Sequence, residues 1–134
     1  MSGRARPAGS APWGEEHEES LRAAINYAQS LIYAQRFEEA KSLMRKRMPV
    51  TRRVLGESHE CTLKIRWNYA QGLWKDPAAT LDDLREAVTT QEEIERTAQR
   101  VLGGTHPDTR GIAVGVRKAR AALRAREAQS SGGA

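Results

Sequence analysis

The sequence predicts an all-α fold of stacked helix pairs, and three observations carry that prediction. A segment Gly-x-x-His-x-x-[Ser/Thr] occurs three times, opening at Gly14, Gly56 and Gly103, which lie 42 and 47 residues apart. Between its copies, apolar residues recur at three- and four-residue spacing, the period of a helix with one buried face. Turn-forming residues separate those stretches, at Gly56, at Asp76-Pro77 and at Gly103-Gly104. A fixed period of this length is the mark of a repeat architecture. All three histidines of the chain, His17, His59 and His106, occupy the same slot of the repeated segment.

The elements follow in order. Leu21, Ala24, Tyr27, Ala28 and Leu31 form one stripe and predict a first helix over about 18–33. Phe37, Ala40, Leu43, Met44, Met48 and Val54 predict a second over 37–55, closed by Gly56, which readily takes a left-handed backbone. Pro49 lies inside it and should kink it. A third helix is expected over 60–75 and a fourth over 81–102, with Thr80 as N-cap. The five extra residues of the second unit fall in the turn between those two. The fifth helix, 107–127, begins with Pro107, which suits a first helical turn, and presents Ile112, Val116, Ala119 and Leu123. Glu18, Glu60 and Asp108 place negative charge at helix starts, where the backbone dipole favours it. The domain is expected over 14–127, with units starting near 14, 56 and 103 and disordered tails at 1–13 and 128–134.

Composition narrows the function classes. The 134 residues carry 22 Lys+Arg against 17 Asp+Glu, a net charge of +5, with 39% hydrophobic residues. That hydrophobic content argues against wholesale disorder. One cysteine, Cys61, excludes an internal disulfide framework and fits a reducing, cytoplasmic setting. No apolar run approaches the roughly 20 residues of a membrane-spanning helix.

The first helix carries Asn26-Tyr27-Ala28-Gln29-x-Leu31, the third repeats it as Asn68-Tyr69-Ala70-Gln71-x-Leu73, and the second opens with Phe37-Glu38-Glu39-Ala40. This pattern resembles the tetratricopeptide repeat. The closing segment, Arg52 to Thr62 and more fully Arg100 to Thr109, is similar to the kinesin-light-chain type, whose units run 42 residues. The resemblance covers about residues 14–116. Three departures stand out: Gln35 replaces the usual turn glycine, Arg47 replaces a small residue, and the third unit lacks the Asn-x-Ala core. The resemblance implies a tetratricopeptide-like α-α superhelix, a solenoid of about two and a half helix-pair repeats, whose first helices line a concave groove that binds short peptides. Repeat arrays need about three units to bury a continuous core, so the chain is expected to be either a minimal solenoid capped by the 107–127 helix, whose composition suits a solvated cap, or a piece of a longer array.

On that groove the expected peptide-binding residues are Arg22, Asn26, Gln29 and Tyr33 in the first unit and Lys64, Asn68, Gln71 and Lys75 in the second. The amides suit both peptide N–H and C=O, and the cations select acidic side chains. Trp67 and Trp74 share the neighbouring face and suit an apolar anchor, unless Trp67 packs between helices. The function expected is a non-catalytic protein–protein interaction scaffold for a short acidic peptide. No cofactor, metal or small-molecule substrate is expected. The histidines should bond backbone in turns, because loops one repeat apart cannot converge on zinc. Cys61 has no paired base nearby for nucleophilic catalysis, and Gly103-Gly104 lacks the Lys-[Ser/Thr] of a phosphate loop. The alternative reading uses the basic last helix, with Arg117, Lys118, Arg120, Arg124 and Arg126, as a binder of nucleic acid or an anionic membrane surface.

Overall fold

In the computed structural model, which describes residues 12–132 and the side chains of residues 18–131, those turns separate five helices. They are α1 (Pro12–Tyr33), α2 (Phe37–Leu55), α3 (Glu60–Trp74), α4 (Leu81–Val101) and α5 (Pro107–Gly132). The described residues contain no strand. Each helix packs against the next, and α3 also packs against α1 and α5. The odd-numbered helices therefore form one row, with α2 and α4 behind it and α3 at the centre.

The repeated segment is one turn built twice. Gly56 and Gly103 both take φ +91°, a value that favours glycine, and each accepts a hydrogen bond on its carbonyl, from the N–H of His59 and His106 respectively. Each histidine then caps the helix that follows. Nδ1 of His59 accepts from the Cys61 N–H and Nδ1 of His106 from the Asp108 N–H, both at 3.0 Å. His59 and His106 thus do what the turn reading expected, and the side chain of His17 lies outside the described residues. At α4 the cap is reciprocal: Thr80 Oγ1 accepts from the Asp83 N–H, and the Asp83 carboxylate accepts from the Thr80 N–H.

The core follows the helical stripes. Leu21, Ala24, Ile25 and Ala28 of α1 meet Met44 of α2 and Cys61, Ile65, Tyr69 and Leu73 of α3. Leu63, Ile94, Ala98 and Ile112 join α3, α4 and α5, with Trp67 packed on them. Burying one such large apolar side chain contributes about 1.5–3 kcal/mol. Between α2 and α3 the close approach is polar. The Lys41 stem lies over Gly72, and its ammonium meets Glu38 at 2.8 Å and Asp76 at 3.6 Å. Burial pulls the Lys41 pKa down, but the hydrogen bond and charges of Glu38 and Asp76 outweigh it and hold the group above the ordinary lysine value.

The structure corrects several expectations. The helix α1 starts at Pro12, not near 18, so the first Gly-x-x-His copy is helical. Residues 12 and 13 of the expected tail belong to α1, and residues 1–11 lie outside the described residues. At the other end α5 runs to Gly132, because Ala121–Ser131 contains good helix formers and no breaker. Only 133–134 of the expected tail lie outside the described residues. Tyr27 is 55% exposed and Val54 40% exposed, so neither belongs to the core. Val101, one repeat on from Val54, is exposed as well, so this position is an outer edge in both units. Pro49 lies inside α2, as expected, and Thr51 Oγ1 two residues on donates to the Arg47 carbonyl at 2.7 Å.

Candidate functional site

The row of odd helices carries a cleft of about 650 Å³. Gln29, Ile32 and Tyr33 of α1 form one wall, and Gln71 and Trp74 of α3 form the other. Gln35 and Phe37 close it at the α1–α2 turn, Lys75 caps the end of α3, and Ala122 of α5 completes the rim. Tyr33, Lys75 and Ala122 occupy equivalent positions of the three units, 42 and 47 residues apart. Gln29 and Gln71 are likewise equivalent. The cleft is thus a seam along which the repeat presents the same positions side by side.

Its chemistry is apolar below and cationic at one end. Ile32 and Phe37 are buried, Trp74 is half-buried, and Tyr33 is 90% exposed at the edge. The Lys75 ammonium stands 5.6 Å from the Trp74 ring. Burial, with the charge of Lys118 from α5 added, holds the Lys75 amine below its ordinary value. No carboxylate lines the cleft among the described residues. An anion there would meet Lys75, with Lys118 of α5 near enough to act on it, and no carboxylate of the lining.

Of the eight expected site residues, four line this cleft: Gln29, Tyr33, Gln71 and Lys75. Three others, Arg22, Asn26 and Lys64, surround a smaller indentation of about 120 Å³ farther along the same row, with Ile25. Their charges are partly answered within the chain. Lys64 pairs with Glu60 at 3.3 Å and Asp108 at 3.9 Å, and Arg22 pairs with Glu18 at 3.4 Å.

The eighth is a correction. Asn68 is 3% exposed, and its amide donates to the Lys64 carbonyl at 2.8 Å, so it bonds its own helix and presents nothing to a ligand. Asn26, its equivalent in α1, is exposed. The difference comes from position: α3 is flanked by α1 and α5, whereas among the described residues α1 has only α3 beside it in the row. Sequence reasoning missed Ile32, Gln35, Phe37, Ala122 and the neighbouring Lys118. Carrying the repeat register into the third unit, from Gln71 to Lys118 and from Lys75 to Ala122, was the signal for the last two.

The two tryptophans part ways. Trp74 faces the cleft, whereas Trp67 is packed against Ile112, Leu63 and Gly111. Cys61 is 1% exposed, and burial pushes its thiol above the ordinary value, which withholds the nucleophilic thiolate. Among the described residues no three His, Cys, Asp or Glu side chains come together as a metal-holding group. None of the described helices is long and apolar enough to cross a membrane. On the basic last helix, Arg120 pairs with Glu92, its Nε at 2.9 Å, and Arg126 donates to the carbonyls of Ala79 and Pro77. No protein-family model, curated protein or solved structure matches this chain.

Proposed function

We propose that this chain is a non-catalytic interaction module of the kinesin-light-chain tetratricopeptide type, a short cytoplasmic solenoid that holds an acidic peptide along its row of odd helices. The observation that supports this reading is the cleft of about 650 Å³, in which Gln29, Gln71, Tyr33 and Lys75 are brought together from two units. An apolar side chain of the peptide enters between Ile32, Phe37 and Trp74. Gln29 and Gln71 serve its backbone, since each amide both donates and accepts. Lys75, with Lys118 beside it, takes a following carboxylate through a charge-assisted bond. The packing of α3 against α1, α2, α4 and α5 supports the solenoid arrangement, because such stacks bury each first helix between its neighbours. A reducing compartment suits the lone, buried Cys61. Nucleic acid or an anionic membrane is the weaker reading: of the five cations expected to carry it, Arg120 and Arg126 are occupied within the chain and Lys118 stands by Lys75, which leaves Arg117 and Arg124.

The test is a titration with a synthetic peptide carrying one leucine flanked by aspartates and glutamates. Lys75→Glu should weaken binding by at least about tenfold, as expected for loss of a charged hydrogen bond plus repulsion. Lys64→Glu should weaken it less, because Glu60 and Asp108 already neutralise Lys64. Equal affinity in the wild type and Lys75→Glu would refute the assignment.

A further inference from the structure

The helix α5 turns a second kind of surface outward. Arg110, Arg117 and Arg124 recur every seven residues, and Val114, Ala121 and Ala128 recur every seven residues between them. At 3.6 residues per turn these six fall on one narrow stripe, opposite the buried side formed by Ile112, Val116 and Ala119. All six are exposed, Val114 by 38%. The three arginines form no ion pair among the described residues, unlike Arg120, which lies off the stripe and holds Glu92.

The repeat register says what such a face is for. Arg110, Val114 and Arg117 stand 47 residues after Leu63, Trp67 and Ala70 of α3. In α3 those positions are packed under the helices that follow: Leu63 is 2% exposed, Ala70 is fully buried, and Trp67 meets Ile112 and Gly111 of α5. Among the described residues nothing covers the same face of α5, which has arginine where α3 has Leu63 and Ala70. Ala121 and Ala128 permit the close backbone approach of another helix, Val114 offers it an apolar contact, and a seven-residue repeat is the spacing at which two helices stay in register.

We infer that this Arg/small-residue stripe of α5 is a docking seam for an amphipathic helix of a partner protein, one carrying carboxylates at seven-residue spacing between apolar residues. Charge selects that occupant. A flat row of cations desolvated under a helix needs matched anions, and arginine forks bind carboxylates in pairs. A second copy of this chain is disfavoured: α2 exposes Arg45, Lys46, Arg52 and Arg53, the α4 carboxylates seven residues apart, Glu86 and Glu93, are already held by Tyr69 and Arg66, and the chain bears a net charge of +5. The seam lies apart from the cleft and does not depend on the peptide reading.

The probe is a labelled synthetic helix with Glu and Leu alternating every three and four residues, titrated into the full chain by fluorescence anisotropy. Saturable binding is expected, weakened at least about tenfold by Arg117→Glu through repulsion and by Ala121→Glu through bulk and charge. Lys46→Glu on α2, which removes the same overall charge, should leave it within about twofold. Circular dichroism of each variant should match the wild type, which separates docking from folding. No saturable binding, or equal loss in Lys46→Glu, would overturn the inference. So would binding to phosphatidylserine vesicles or duplex DNA in place of the helix, or self-association abolished by Arg117→Glu.

Discussion

The indole of Trp67 lies so close to Gly111 that a β-carbon on that glycine would fall 2.6 Å from the ring. This is where α5 seats on α3, and the glycine is a fitting requirement, since its backbone conformation is ordinary helix. Gly111→Ala should therefore destabilise the chain by about 1–3 kcal/mol through overpacking, even though alanine favours a helix by about 1 kcal/mol. Urea midpoints measure the loss. Trp67→Leu in the same chain should recover part of it, because neighbouring changes couple. An unchanged midpoint for Gly111→Ala would mean that α5 is seated elsewhere.

Gln35 closes the α1–α2 turn at φ +63°, a left-handed value that costs a side-chain-bearing residue about 1–2 kcal/mol. Gln35→Gly removes that strain at the expense of a more flexible unfolded chain. The expected outcome is a net gain of about 0.5–1 kcal/mol in a urea titration. A loss of stability would show that the Gln35 side chain holds the turn by contacts of its own.

Burial pushes the Cys61 thiol above its ordinary value. A disulfide reagent at mildly alkaline pH should label it far more slowly in the folded chain than in urea. Labelling at the rate of the unfolded chain would contradict its burial between α1 and α3.

Lys75 is depressed first by burial and second by Lys118. A base whose folded pKa is lowered holds fewer protons when folded, so its penalty is fully present below the folded value and fades as pH rises through the alkaline range. Lys118→Ala should move the Lys75 titration upward without restoring it fully, because burial is the larger cause. A bound carboxylate should also move it upward. Nuclear magnetic resonance of the Lys75 side chain reads both shifts, and a downward shift in either would contradict the arrangement.

Helix positions were legible because two signals agreed along most of the chain. The apolar period gave the stripes, and Gly56, Thr80 and Gly103 gave the ends, so α2 and the starts of α3, α4 and α5 fall where expected. The outer limits of α1 and α5 were less legible, since neither Pro12 nor Gly132 coincides with a turn signal of the repeated segment. Burial within a stripe was harder still. Tyr27 and Asn68 share the Asn-Tyr-Ala-Gln motif, yet Tyr27 is exposed and Asn68 is buried, whereas their equivalents Tyr69 and Asn26 do the reverse. The motif is the same; the helix beyond it differs, and that is a tertiary fact. Half of the expected groove residues meet in the cleft because equivalent positions of a stack align. Its apolar floor of Ile32 and Phe37 depends on how the α1–α2 turn folds back, which spacing alone does not fix.

The central claim is that an acidic peptide lies in the cleft between α1 and α3, and the indole N–H resonances of Trp74 and Trp67 test it most directly. In a heteronuclear titration with the leucine-centred acidic peptide, the Trp74 indole should shift progressively and saturate, together with Gln29 and Gln71. The Trp67 indole, packed under α5, should stay in place. Shifts confined to the arginine stripe of α5, with Trp74 unmoved at saturating peptide, would contradict the account.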